Sequence, residues 1–158
     1  MSGKVKAIPE GYHSVTPYLT VEGGAEAIEF YKKAFGAREI FRMPMPDGRM
    51  GHAEIQIGDS RVMLADESRE MDTKSPHNLG GSPLGLMIYV ENVDEVFNRA
   101  ISAGAREARP VKDQFYGDRS GNLVDPFGHK WTIATHIEDV PPQEMEKRME
   151  EAMAALQD

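Results

Sequence analysis

Residues 18–39 read YLTVEGGAEAIEFYKKAFGARE, and residues 87–107 read MIYVENVDEVFNRAISAGARE. With Val21-Glu22 set against Val90-Glu91, the two GARE runs at 36–39 and 104–107 fall opposite each other with one residue of gap. Each copy has the same grammar. In residues 13–21, Pro17, Leu19 and Val21 alternate with Thr16, Tyr18 and Thr20, the period of a strand with one buried face. An apolar stripe at helical spacing follows: Ala27, Ile28, Tyr31, Ala34 and Phe35 in the first copy, Val93, Val96, Phe97, Ala100 and Ile101 in the second. Gly36 and Gly104 then stand where a helix stops, and Ala-Arg-Glu begins the returning strand.

The pattern extends past the repeat. MGHAEIQI and RVMLAD are two further strands joined at Gly58-Asp59, after a hairpin signal at Asp47-Gly48. In the second copy the strands are AREARPVKDQF, GNLVD and HKWTIATH. The chain therefore reads as two βαβββ modules, residues 13–66 and 84–136, joined by a long segment, 67–83, that is a linker or a lid. A helix is expected over 141–156. Proline suits its first turn, Glu144 and Glu146 suit its positive end, and Met145, Met149, Met153 and Leu156 make a stripe that packs on the protein's own body or on a twin subunit. Pairing of 52–57 with 61–66 and of 119–124 with 130–135 is predicted.

Composition narrows the function. The 158 residues carry a formal net charge of −8, which disfavours nucleic acid because a phosphate backbone needs a basic face. No apolar run reaches the ~20 residues of a membrane helix. The N-terminus lacks the apolar stretch of a secretory signal, so no membrane association and a cytoplasmic location are expected. Without cysteine there is no thiolate ligand or cysteine nucleophile.

Asp125-Pro126-Phe127-Gly128, followed by a strand carrying Trp131, resembles the C-terminal hairpin of the vicinal oxygen chelate superfamily. That superfamily includes glyoxalase I, bleomycin-resistance proteins, fosfomycin-resistance enzymes and extradiol dioxygenases. The first strand and helix resemble it too, with Phe30-Tyr31 ahead of a helix-stop glycine. Tyr116-Gly117-Asp118-Arg119 and the proline-started tail most resemble the PhnB-like branch. Independently, Asp, Pro and Gly at the first, second and fourth positions suit a type I turn, so Asp125, Pro126 and Gly128 are read as hairpin builders. The resemblance implies an α+β fold: duplicated βαβββ modules forming a cupped, mixed eight-stranded sheet with helices on the convex side, plus the C-terminal helix. It also implies a homodimer and a ligand in the cup.

Many members of the superfamily hold a divalent metal with side chains on the first and last strand of each module. Those positions correspond here to Thr16, to Val62 or Leu64, to Gly85 and to Thr132. None is His, Asp or Glu, so no metal and no cofactor are expected. In GHAEIQI, His52, Glu54 and Gln56 share one face, either lining a ligand or solvated. His52 and Glu54 also suit a metal or an acid–base pair. The same concave side is expected to carry Thr16, Tyr18, Met87, Tyr89, Thr132 and His136. Asp118 and Arg119 sit at its rim, as ligand contacts or as a surface pair. His129 is expected to be exposed.

This lining suits a small, flat or aromatic molecule. The first reading is a metal-free binding protein of the glyoxalase/bleomycin-resistance type. The alternative is a metal-dependent lyase, isomerase or dioxygenase with non-standard ligands around His52 and Glu54. A third is a regulatory module that uses the acidic tail helix as its contact.

Overall fold

A computed structural model describes residues 3–157. The elements run β1 (Tyr18–Val21), α1 (Gly24–Phe35), β2 (Arg38–Pro44), β3 (Met50–Ile57), β4 (Ser60–Asp66), α2 (Pro76–Leu79), β5 (Gly85–Tyr89), α3 (Val93–Ser102), β6 (Arg106–Asp113), β7 (Asp118–Val124), β8 (Lys130–His136) and α4 (Pro142–Ala155). The fold class is α+β, with βαβββ built twice. The eight strands form two four-stranded mixed sheets, ordered β1-β4-β3-β2 and β5-β8-β7-β6. In both, the first strand pairs parallel to the last, and the remaining pairs are antiparallel. The expected pairings are present, including Ala53 with Leu64 and Asn122 with Thr132.

The chain divides into two compact units. One runs to Ser82 and also takes in Pro126–Gly128; the other comprises Pro83–Asp125 and the chain from His129 onward. In the first unit α1 packs on β2, β3 and β4. All five residues of its predicted stripe are buried, as are Leu19, Val21, Ala53, Ile55, Val62 and Leu64 on the facing sheet. Fully burying a large side chain of this kind contributes about 1.5–3 kcal/mol. Phe127 joins this core, with its ring 6.2 Å from that of Phe30. In the second unit α3 packs on β6, β7 and β8, with Val93, Phe97 and Ala100 buried; Leu123, Trp131 and Ile133 are also buried in this unit.

The GARE runs do the same work twice. Gly36 and Gly104 have φ of 66° and 122°, a conformation that costs other residues about 1–2 kcal/mol. Past each glycine an alanine, Ala37 or Ala105, turns inward and is buried. The closures differ in detail: the Ala37 N–H donates to Tyr31 O, while the Ala105 N–H donates to Ala100 O.

The helix starts differ more. Asn92 caps α3 locally, its side chain accepting from the Glu95 N–H at 3.1 Å. The corresponding residue before α1 is Gly23, which has no side chain to cap with. Asp66, at the end of β4, substitutes from across the sheet. It accepts from the N–H groups of Gly23, Gly24 and Met50 at 2.7, 3.1 and 2.7 Å.

Two expectations are corrected here. The first strand is shorter than predicted: β1 starts at Tyr18 and leaves Thr16 outside it. His129 is buried rather than exposed. In α4 no residue is fully buried: Met145 is half-buried, and Met149, Met153 and Leu156 are exposed. The helix is held through Arg148, which donates to Glu138 at 2.7 Å and to Phe115 O at 3.1 Å.

Candidate functional site

In the first sheet the face away from α1 is built from cross-strand partners, which lie side by side on one face. Tyr18 pairs with Met63, Met63 with Glu54, and Glu54 with Phe41, so one row crosses all four strands. His52 pairs with Met43 beside it, and Gln56 pairs with Arg61. Tyr18, Phe41 and Met43 are about half exposed although they are large and apolar.

The polar groups among them are held in place. Tyr18 Oη and His52 Nδ1 share a hydrogen bond of 2.8 Å, and the two rings lie 5.5 Å apart. The tautomer that accepts from Tyr18 carries its proton on Nε2, which lies 3.7 Å from Glu54 Oε1. Tyr12, from the segment before β1, donates its phenol to Glu54 Oε1 at 2.5 Å. Burial, together with this bond to a carboxylate, pushes the Tyr12 phenol up to about 12. Burial and the Glu54 charge also raise Tyr18. Both phenols therefore stay protonated donors at neutral pH. Gln56 turns its amide to Gly58 O at 3.0 Å. The arrangement offers an aromatic and thioether platform with a fixed carboxylate and imidazole, and no activated nucleophile.

The second sheet carries a separate polar chain. Tyr89 donates to Asp118 Oδ2 at 2.9 Å, and Asp118 Oδ1 lies 2.8 Å from His136 Nδ1. His136 Nε2 is in turn 2.8 Å from Asp139 Oδ1. Asp118 is buried, whereas Tyr89 and Met87 are exposed. Thr132, the strand partner of Met87, accepts from Asn122 Nδ2 at 2.7 Å.

A carboxylate on each ring nitrogen favours the imidazolium form of His136, in which both nitrogens donate. The bond to Asp118, then that to Asp139, raises its pKa. A raised folded-state pKa stabilises the native state fully below the unfolded-state value and loses that contribution as pH rises through the folded-state value. An NMR titration of the His136 ring is expected to show the upward shift, and Asp118→Asn to abolish most of it. A His136 that titrates identically in both proteins contradicts this account.

Of the residues singled out from sequence, Tyr18, His52, Glu54 and Gln56 are brought together on the first sheet, and Tyr89, Asp118 and His136 on the second. Thr16 is not among them; its hydroxyl turns back to His13 O. Arg119 does not share a face with Asp118, because adjacent strand residues point to opposite sides. It faces α3, paired with Asp94 at 2.8 Å and Asp113 at 3.0 Å. Tyr12, Phe41, Met63 and Arg61 escaped sequence reasoning. Alternation in RVMLAD does separate Arg61 and Met63 from Val62 and Leu64, but nothing local marks Tyr12.

The metal positions inherited from the resemblance can be tested by donor chemistry. Val62 and Leu64 are buried on the helix side. The last-strand residue facing as Tyr18 does is Met63. Thr16, Met63, Gly85 and Thr132 do not fit a hard divalent cation, since they offer hydroxyls, a thioether and a bare backbone. Among the described residues no three His, Asp or Glu side chains gather as a metal site.

The connecting loop bounds a different space. Glu67 accepts from the Ser75 N–H at 2.6 Å and from Asn78, and a bridge joins Ser68 to Thr73. Beside it is a cleft of about 760 Å³ lined by Glu22, Arg49, Asp66, Glu67, Arg69 and Asp72, among others. Its walls are charged, and Asp66 and Glu67 are already engaged by backbone N–H groups.

A βαβββ unit built twice, with a mixed aromatic and polar face on each sheet, defines a class. The chain belongs to the Glyoxalase/Bleomycin resistance protein/Dioxygenase superfamily, whose family model matches residues 12–133. An uncharacterized protein of Mycobacterium tuberculosis (strain ATCC 25618 / H37Rv) is 40% identical over 139 residues, 86% of this chain and 82% of that one. The crystal structure of TioX from Micromonospora sp. ML1 superposes with a TM-score of 0.63 at 25% identity, covering 79% of this chain and 99% of that one. A structure described as a putative 3-demethylubiquinone-9 3-methyltransferase, PhnB protein, from Bacillus cereus superposes with a TM-score of 0.61 at 19% identity, over 78% and 99% of the two chains.

Proposed function

We propose that this protein binds a small, flat or aromatic molecule on the sheet face opposite α1, without a metal. It acts as a PhnB-like homodimer in the cytoplasm. One observation carries the reading: the row Tyr18–Met63–Glu54–Phe41 leaves large apolar side chains about half exposed beside polar groups whose geometry is fixed. Ligand sites combine apolar walls with a few placed polar groups in this way. Exposed Met149, Met153 and Leu156 on α4 support the dimer, because a second copy would cover them. The likeness to the Bacillus cereus PhnB protein supports the branch, and the net charge supports a partner other than nucleic acid.

The neutral dye phenylnaphthylamine tests the site. Saturable binding is expected, weakened about tenfold or more in Tyr18→Ala. Chelator treatment should change neither binding nor the thermal midpoint, because a metal bound only to the native state would have stabilised it. Sedimentation equilibrium at micromolar concentration should give twice 17.6 kDa, and the monomer mass would rule out the dimer. The 3.7 Å approach of His52 to Glu54 keeps one rival reading, a metal-dependent lyase, isomerase or dioxygenase using that pair. Stoichiometric metal that is lost in His52→Ala would replace the first reading with it.

A further inference from the structure

We propose that Arg61 is the anion-recognising residue of the first-sheet site, so that the ligand is a flat or aromatic molecule bearing an acidic group, and that Gly11–Tyr12 is the strap which this group displaces. The inference rests on the small-molecule reading above and adds the chemistry of the ligand.

Arg61 lies on the same face as Met63 and Tyr18, directly across from Gln56. The other polar side chains there are satisfied: His52 by Tyr18, Glu54 by Tyr12, Gln56 by Gly58 O. Arg61 is not. Its Nε and Nη1 are buried and have no hydrogen-bond partner, and among the described residues it makes no ion pair. A guanidinium cannot escape the cost of burial by losing its proton, so its donors call for acceptors. The one carboxylate on this face, Glu54, is engaged by Tyr12 and makes no ion pair with Arg61. A half-buried arginine with two buried donors unmet and no ion pair, on a ligand-facing surface, is a site for an acid that arrives from outside.

What covers Arg61 is slight. The Tyr12 ring lies 5.4 Å from its Cζ, a cation–π contact. The Gly11 backbone sits so close that a Cβ there would come within 2.6 Å of Nη2, and its φ of 84° also favours glycine. Pro9, Glu10 and Gly11 are themselves exposed. The strap is tied down on this face by the Tyr12 hydroxyl on Glu54. Its release uncovers the guanidinium next to the aromatic row, so that a ring can lie on Tyr18 and Phe41 while its acid reaches Arg61.

Two dyes sharing one ring system give the test on the full chain: anilinonaphthalenesulfonate, which carries an acid, and phenylnaphthylamine, which does not. The wild-type protein is expected to bind the sulfonate about tenfold or more tighter than the neutral dye. Arg61→Gln should remove that preference while leaving the neutral dye within about twofold, and Arg61→Lys should retain part of it. Tyr12→Phe, which unties the strap, should tighten the sulfonate. Competition by naphthoate and by naphthyl phosphate then shows whether the acid is a carboxylate or a phosphate. If Arg61→Gln fails to fold, as circular dichroism would show, the Lys variant decides alone. Equal binding of the two dyes to the wild type, or a sulfonate affinity unchanged in both Arg61 variants, overturns the proposal while the small-molecule site stands. Absence of saturable binding by either dye removes the site and the proposal together.

Discussion

Asp66→Ala is expected to destabilise the first unit by about 3–4 kcal/mol, because it strands three backbone donors at once. The N–H groups of Gly23, Gly24 and Met50 all point at this one carboxylate. A hydrogen bond to a charged acceptor contributes about 1.5–3 kcal/mol, and partial access to water keeps the sum below three full bonds. The position couples two features of the fold. Asp66 caps α1, whose own N-cap is a glycine, and pins the start of β3 to the end of β4. At about 2–4 °C per kcal/mol for a chain of this size, the thermal midpoint should fall by about 6–16 °C. Asp66→Asn keeps an acceptor oxygen and should lose less than half as much. A urea-unfolding loss below about 1 kcal/mol in Asp66→Ala would show that water caps α1 equally well.

Asp125→Ala is expected to cost about 3 kcal/mol in the second unit, with an optical signature to match. Asp125 is buried, and its two oxygens accept from the His129 N–H at 3.0 Å and from Trp131 Nε1 at 2.8 Å. Removing it leaves the indole N–H of a buried tryptophan unsatisfied and frees the turn between β7 and β8. Trp131 is the single tryptophan of the chain, so its emission reports this change directly. A shift to longer wavelength should accompany the lower unfolding midpoint, and Asp125→Asn should show a smaller version of both. Unchanged emission together with wild-type stability would mean that the turn holds by its Pro-Phe-Gly backbone preferences alone.

These two aspartates differ in how far they can be read from sequence. Asp125 stands in Asp-Pro-Phe-Gly, where local turn chemistry already assigns it to a hairpin, and it does serve there. Its bond to Trp131 adds a contact only six residues away. Asp66 ends a strand with no local signal, and two of its three partners lie 42 and 43 residues earlier. The face of β3 shows the same contrast. Alternation alone groups His52, Glu54 and Gln56, but their partners Tyr18 and Tyr12 lie 34 and 42 residues away. Alternation was also enough to separate Asp118 from Arg119, and to separate Met63 from Val62 and Leu64.

The sequence by itself determined the two modules, the helix stops at Gly36 and Gly104, the apolar stripes of α1 and α3 and the hairpin at Asp125. Each follows from period, backbone conformation or turn chemistry within a few residues. Only the tertiary structure decided that Thr16 lies off the strand, that Arg119 belongs to Asp94, that His129 is buried and that Asp66 caps a helix it is remote from. It alone placed Arg61 beneath Gly11 and Tyr12 with two donors unmet. The reason is physical: a side chain's periodicity fixes which way it points, whereas what it meets depends on strand register and on segments brought together from far along the chain.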